Sequence, residues 1–208
     1  AAADAGQWQT PLFNVIGQKD QKAINDYVAW TMHSAKAIGV KVVNPGGIIA
    51  FKFNQRALDL DENNVHYQVS PRDVLKALSR AVHELGVPHP LHVHANNLGV
   101  PGNVDTTLKT MGASEGYPLH LTHIQFHSYG GRLSDQSTFC SQTPALAEYV
   151  NANPGLTVDV GQVMFSDTVT ISSDVLKQFN SLSGAIPKKG AIFDGDANGG
   201  GVVAIGRQ

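Results

Sequence analysis

Histidines crowd one stretch of the chain. Residues 90–127 carry five of the nine histidines, in the segments LHVHANN and LHLTHIQFH: His92, His94, His120, His123 and His127. Each segment follows a proline, alternates apolar and polar residues, and then passes into polar residues or glycine, which predicts two strands whose ends open into loops. Neutral imidazole is the commonest protein ligand for zinc. The sequence therefore predicts a metal site where the two strands end.

The alternation of strand side chains separates these histidines. Because successive side chains point to opposite faces, His92 and His94 should share one face, whereas His120 and His123 should lie on opposite faces. His94 and His123 come last in their strands, so we expect these two to be the metal ligands. The competing interpretation is that each is an ordinary hydrogen-bonded histidine, since the spacing is not that of a zinc finger.

Composition narrows the classes of function. The chain has 208 residues, of which 42% are hydrophobic and 15% charged, with a net charge of −2. These values describe a globular domain with fewer charges than usual, and we expect something else to cover much of its surface. There is no basic cluster and no apolar run of ~18 residues, so we expect neither nucleic acid nor a membrane as partner. The single cysteine, Cys140, fits a reducing, cytoplasmic compartment.

Strands and helices alternate along the chain. Helix signals are Asp20 before residues 21–39, Ser70-Pro71, Asn103 and Thr143-Pro144. Predicted strands cover residues 40–44, 48–53, the two histidine segments, 156–160 and 191–193. This alternation predicts parallel βα units and favours a partial (β/α)₈ TIM barrel, with an open doubly wound sheet as the alternative. Catalytic residues of such barrels lie at the carboxyl ends of the strands.

Lys52 is a further candidate at a predicted strand end. A lysine between two phenylalanines, as in FKF, usually extends its charge to water. A buried lysine, however, shifts its pKa readily and becomes reactive. With carbon dioxide it can form a carbamate, an anion that bridges two metal ions. Lys52, His94 and His123 each come late in successive predicted strands.

Three of these segments resemble hydantoinase-type amidohydrolases. They are FKF at residues 51–53, VHANN at 93–97 and LTHI at 121–124. Longer strings, NPGG, HVHANNLGVPGN, HLTHIQFHSYGG and DVGQVMFSDT, resemble the A subunits of formylmethanofuran dehydrogenases and of formyltransferase/hydrolase complexes. The second resemblance covers nearly the whole chain.

The resemblance implies an amidohydrolase barrel that binds two divalent metal ions, with zinc expected, bridged by a lysine that CO₂ has carboxylated. By motif, Lys52 is this bridging, catalytic residue, and His94 and His123 bind one metal. Four residues are candidates only for orienting ligands or contacting substrate, and a structural role is the favoured interpretation of each: His92, Asn96, Gln125 and His127. The family's first-strand His-x-His and eighth-strand aspartate are expected outside residues 1–208, and Asp159 is set aside because its surrounding string matches an earlier family segment.

The implied reaction is hydrolysis of the N-formyl group of formylmethanofuran to formate and methanofuran, or its reverse, in a complex with other subunits. Methanofuran would be the carrier substrate. Two alternatives stay open. One is a related hydrolase for cyclic amides, of the hydantoinase or dihydroorotase type, and the other is a non-catalytic scaffold subunit. Activity toward those substrates, and a metal count, would separate the three.

Overall fold

The computed structural model describes residues 6–45, 59–64, 67–132, 134–161, 169–172, 191–194 and 202–205. Lys52 and the predicted strand at residues 48–53 lie outside these ranges. The helices are α1 Gly6–Gly17, α2 Gln21–Ala35, α3 Pro71–Glu84, α4 Asn103–Gly112 and α5 Thr143–Ala152, with a 3₁₀ helix at Ile124–His127. The strands are β1 Lys41–Val43, β2 Leu91–His94, β3 Leu119–Leu121, β4 Tyr129–Arg132, β5 Asp135–Ser141, β6 Leu156–Val158, β7 Val169–Ser172, β8 Ala191–Asp194 and β9 Val202–Ile205.

Four parallel strands form the central sheet, in the order β1-β2-β3-β6. Strand β2 pairs with β1 and β3, and β3 pairs with β6. The register places Lys41 beside His92, His92 beside His120, and His120 beside Thr157, so these four residues form one row across the sheet. An α/β fold with a parallel sheet is therefore confirmed.

The two faces of this sheet differ in chemistry. Leu91, Val93, Leu119 and Leu121 are fully buried and join one hydrophobic core with residues of the surrounding helices, among them Ile24, Val28, Leu75, Leu78, Met111 and Leu146. The residues that alternate with them, including His92 and His94, are only half-buried. The helices thus cover the apolar face, and the histidines lie on the other.

Local signals place the helix starts. Asp20 accepts a hydrogen bond from the backbone N–H of Ala23 at 3.0 Å and caps α2. This helix ends at Ala35, earlier than predicted, because Lys36 takes a left-handed conformation with φ 51°. Ser70 and Asp73 cap α3 reciprocally: each side chain accepts a hydrogen bond from the other residue's backbone N–H.

Two serines of the α3 region should respond oppositely to alanine. Ser70→Ala removes the cap and should cost about 1 kcal/mol of unfolding free energy. Ser79 is 1% exposed, and its hydroxyl has no hydrogen-bond partner among the described residues, so Ser79→Ala should be neutral or stabilising. Urea unfolding of the two variants measures the difference. A larger loss at Ser79 than at Ser70 would contradict this view of the helix.

Several elements were not predicted from the sequence. Helix α1 contains Pro11, and β4 contains Gly130 and Gly131. Strands β4 and β5 form an antiparallel hairpin, in which a Cβ at Gly131 would lie 2.5 Å from the Thr138 carbonyl oxygen. Strand β8 matches the predicted strand at residues 191–193, but it forms a separate antiparallel sheet with β7 and β9, which were not predicted. Within the described residues, none of the helices has the length and apolar character needed to span a membrane.

Candidate metal centre

Three histidines meet at the carboxyl ends of the central strands. His94 is the last residue of β2, His123 lies two residues beyond β3, and His127 ends the 3₁₀ helix. The ring centroids of His94 and His123 are 4.5 Å apart, and that of His127 lies 5.6 Å and 5.3 Å from them. Nδ1 of His94 is 2.9 Å from Nε2 of His123. One ring nitrogen from each residue lies within 4.8 Å of the other two, which is close enough to share an ion.

The expectation that His120 and His123 occupy opposite faces is wrong. The His120 ring packs 4.8 Å from His92 and the His123 ring 4.5 Å from His94, so both follow the face that His92 and His94 share. The alternation stops at Leu121, where β3 ends. His123 then adopts φ 43° and ψ 51°, a left-handed conformation that turns its side chain back over the strand ends.

Burial keeps two of these imidazoles neutral. Burial, together with the neighbouring His94 and Lys41, lowers the pKa of His123 to about 4. The pKa of His127 lies well below its usual value, mainly because the residue is buried and also because of the neighbouring His94 and His123. Metal ions bind the neutral imidazole, so at neutral pH neither residue has to release a proton before it can coordinate.

The donors fit a metal ion. Nδ1 of His123 and both ring nitrogens of His127 are buried without a hydrogen-bond partner among the described residues. Leaving a buried polar atom unpaired costs about 1–3 kcal/mol, and coordination would satisfy one nitrogen of each ring. Three nitrogen donors in a half-buried cluster suit zinc, which takes three or four nitrogen, sulfur or oxygen ligands.

Asn103 ties the loops around this cluster together. Its Nδ2 donates to the carbonyl oxygen of Phe126 at 2.8 Å, and its Oδ1 accepts from the N–H of Tyr129 at 2.9 Å. Thr107 Oγ1 donates to the His127 carbonyl oxygen at 2.8 Å. Helix α4 therefore holds the backbone on both sides of His127. Asn103 was predicted to cap α4, but it is the first residue of that helix, and the capping residue is Gly102 at φ 83°.

A second cluster lies beneath the first, on the same face. His120 Nε2 is 3.0 Å from Asp159 Oδ2, and His120 Nδ1 is 2.9 Å from Thr157 Oγ1. His92 packs edge-on against the His120 ring. Burial alone would raise the pKa of Asp159, but hydrogen bonds from the His123 N–H, His120 and Thr122 outweigh it and lower the pKa to about 2. Asp159 is therefore an anion at neutral pH.

Comparison with known proteins identifies the relatives. The A subunit of the formyltransferase/hydrolase complex Fhc of Methylorubrum extorquens is 46% identical over 187 residues, which are 88% of this chain and 34% of that protein. Protein FwdA of Methanocaldococcus jannaschii is 39% identical over 174 residues, 78% of this chain and 30% of that protein. This chain is a homologue of the Fhc A subunit and of FwdA. It spans about a third of the length of these curated relatives, and no protein-family model matches it.

The fold agrees with this homology. A similar structure is the crystal structure of the formyltransferase/hydrolase complex FhcABCD from Methylorubrum extorquens in complex with methylofuran. The match covers 94% of this Fhc homologue and 36% of the chain in the crystal structure. The TM-score is 0.75 at 40% sequence identity. The resemblance of the histidine segments to the A subunits is thereby confirmed.

Sequence reasoning missed one lysine of this Fhc homologue. Lys41 begins β1, pairs in register with His92 and so lies on the histidine-bearing face. Burial lowers the pKa of His92, and the positive charge of Lys41 lowers it further. The same charge contributes to the low pKa of His123. The sequence signal for Lys41 was its position in the predicted strand at residues 40–44, which leads into NPGG. The resemblance instead indicated Lys52, in the apolar run at residues 48–53 that follows.

Other candidate residues occupy distinct positions. Asn96 is 2% exposed, its Nδ2 donates to the Pro45 carbonyl oxygen at 3.4 Å, and its Oδ1 is buried without a partner among the described residues. Gln125 Oε1 accepts from the N–H of Gly161 at 2.7 Å. Gln125 is thus tied to the loop that carries Asp159, which lies within the predicted strand at residues 156–160 but directly after the observed β6.

His127→Leu should separate stability from metal binding. Without metal, the variant should be at least as stable as the wild type, because leucine removes two buried nitrogens that have no partner among the described residues. Zinc should stabilise the variant less than the wild type. The variant lacks one of the three imidazoles and should bind zinc more weakly, and a more weakly bound ligand stabilises the folded state less. Thermal unfolding with and without zinc measures both effects. Equal zinc stabilisation of the two proteins would exclude His127 from the centre.

Proposed function

We propose that this chain is part of a metal-dependent hydrolase barrel in an A subunit of the formyltransferase/hydrolase type. Its substrate class would be an N-formyl amine of a furan carrier, such as formylmethanofuran, cleaved to formate and the free amine or formed in reverse. The observation that carries this proposal is the cluster of His94, His123 and His127 at the carboxyl ends of neighbouring parallel strands. Homology to the Fhc A subunit supports the substrate class.

The arrangement of the sheet supports a sector of a (β/α)₈ barrel over a doubly wound sheet. The four parallel strands stand side by side in the order in which they occur along the chain. A doubly wound sheet reverses its strand order at a switch point and carries helices on both faces. Here the described helices pack on the apolar face. The polar face would then line the barrel interior, and its strand ends would form the site.

We assign His94 and His123 as ligands of one metal ion, and His127 as a third imidazole in contact with the same site. Two divalent ions, expected to be zinc, would supply when bound an acidified water and polarisation of the formyl oxygen. A carboxylated lysine would bridge them. Lys52 is the bridging residue expected from its motif, but the position of Lys41 on the histidine-bearing face makes it the stronger candidate.

The chain's own residues would set the geometry of the reaction. Neutral His123 and His127 bind without releasing protons, and α4 holds their loop through Asn103. Asn96 follows His94 by two residues, and we assign its buried Oδ1 to accept a hydrogen bond from the substrate amine or from water. Because the surrounding groups are fixed by packing, little reorganisation is needed during the reaction.

Partner subunits are part of the proposal. The Methylorubrum relative belongs to a complex designated FhcABCD, whose structure includes methylofuran. The low charged fraction of this chain, 15%, agrees with a surface partly covered by other subunits. We therefore expect the complete protein to purify with partners, and a lone monomer on size-exclusion chromatography would count against the assembly.

One set of assays separates the candidate functions. The complete protein, purified with its partners, is supplied with an N-formylated furan amine, hydantoin or dihydroorotate, and formate release or ring opening is measured before and after chelation. Formate release that a chelator abolishes and zinc restores supports the proposal. Ring opening alone would assign a cyclic-amide hydrolase. A protein that contains no metal and acts on none of these substrates would be a scaffold.

A further inference from the structure

We propose that Asp159 is a positioning residue for His123, acting through the backbone of that residue. The inference rests on the proposed metal centre, in which His123 is a ligand. Asp159 comes directly after β6, and we call residues 159–161 the β6 exit loop. This loop makes several of the contacts that hold the segment from Leu121 to Gln125 in the shape the site needs.

The backbone of His123 requires such support. Its φ of 43° and ψ of 51° are a left-handed conformation that residues with a Cβ seldom adopt. The His123 N–H donates to Asp159 Oδ1 at 2.5 Å, and the next residue, Ile124, donates its N–H to the Asp159 carbonyl oxygen at 2.9 Å. One residue therefore accepts hydrogen bonds from two consecutive N–H groups at the turn. Strained residues persist where surrounding contacts over-determine them.

Asp159 is itself held from several sides. Its backbone N–H donates to the Leu121 carbonyl oxygen at 3.1 Å, and Thr122 Oγ1 donates to Oδ1 at 3.2 Å. The second carboxylate oxygen lies 3.0 Å from His120 Nε2. Thr157 Oγ1, 2.9 Å from the other nitrogen of that ring, fixes the plane of the imidazole. Asp159, His120, Thr157 and Thr122 thus form a hydrogen-bonded support for the His123 turn.

Gly161 brings the same loop against the histidine. A Cβ at this position would lie 2.8 Å from the His123 Cβ and 2.5 Å from Gln125 Nε2. Such distances are well inside van der Waals contact, so only glycine allows the loop to approach this closely. The Gly161 N–H donates to Gln125 Oε1 at 2.7 Å. The loop therefore restrains His123 from the backbone side and from the Cβ side.

Three variants of the complete protein test this role, with zinc affinity measured by competition with a chelator. Asp159→Ala should lower the affinity about 10–100-fold, the loss typical when a ligand's supporting hydrogen bond is removed. Asp159→Asn should stay within about threefold of wild type, because its Oδ1 still accepts from the His123 N–H. Gly161→Ala should lower the affinity at least about tenfold by pushing the loop from His123, and it tests the inference even if Asp159→Ala fails to fold.

A matched control separates positioning from general stability. Asp135→Ala removes a similar bond, from the Ser137 N–H to Asp135 Oδ1 at 3.1 Å, in the β4–β5 turn outside the clusters. It should leave zinc affinity and the visible spectrum of the cobalt-substituted protein unchanged, whereas Asp159→Ala should alter both. If Asp159→Ala and Gly161→Ala bind zinc as tightly as Asp135→Ala, the positioning role is overturned. If His94→Ala and His123→Ala also bind like wild type, the metal centre itself fails.

Discussion

His123→Ala and His94→Ala are each expected to lower zinc affinity by more than the ~10–100-fold loss that follows removal of a ligand's hydrogen-bond partner. Each substitution removes one of the nitrogens that converge within 4.8 Å. Under the proposed function, formyl hydrolysis should fall with metal content, because the bound ions would supply the acidified water. Chelator competition on the complete protein, with metal counted per protomer, measures the first effect, and formate release measures the second.

His92→Ala is the matched control for this prediction. His92 lies on the same strand and face as His94, but two residues, or ~7 Å, deeper in the sheet. Its loss should reduce zinc affinity by no more than ~10–100-fold. A larger loss at His92 than at His94 would move the metal centre from the strand ends into the sheet. Loss of activity with full metal content in His123→Ala would instead make that residue a substrate contact.

Lys41→Ala is expected to abolish formyl hydrolysis and to lower the bound metal, if Lys41 supplies the bridging carbamate. Lys41→Arg should do no better, because a guanidinium stays protonated and cannot form a carbamate. Lys41 is chosen because it lies in register with His92. In addition, its charge lowers the pKa of His123, so the two side chains are close enough to interact. Excess bicarbonate should not restore either variant, whereas it should reactivate wild-type protein that has lost its CO₂.

Lys52→Ala and Lys76→Ala complete this comparison. Lys76 is a partly exposed α3 residue paired with Glu115 at 2.6 Å, so its removal should leave activity unchanged. Lys52 carries the motif-based expectation for the bridging role. If Lys52→Ala is inactive and metal-poor while Lys41→Ala keeps both properties, the motif assignment holds and Lys41 is a neighbouring charge only. If both lysine variants retain full activity, no carboxylated lysine of this segment is needed.

Local sequence was sufficient where short-range physics decides. Alternation in LHVH predicted that His92 and His94 share a face, and the structure places them so. Asp20 and Ser70 were predicted as caps from residue type and neighbours, and both accept the expected backbone hydrogen bonds. Such signals act within three or four residues, so they survive almost any tertiary environment.

The composition of the site was decided by tertiary structure. Asp159 lies 36 residues from His123, and Lys41 lies 51 residues from His92, yet strand register brings each pair together. No pattern within either segment encodes that register, because it depends on how neighbouring strands pair and pack. The alternation of side chains also did not predict the face on which His123 lies, because β3 ends before this residue and the His123 backbone is left-handed. The sequence by itself therefore determined which residue types were available, and the pairing of distant segments determined which of them meet.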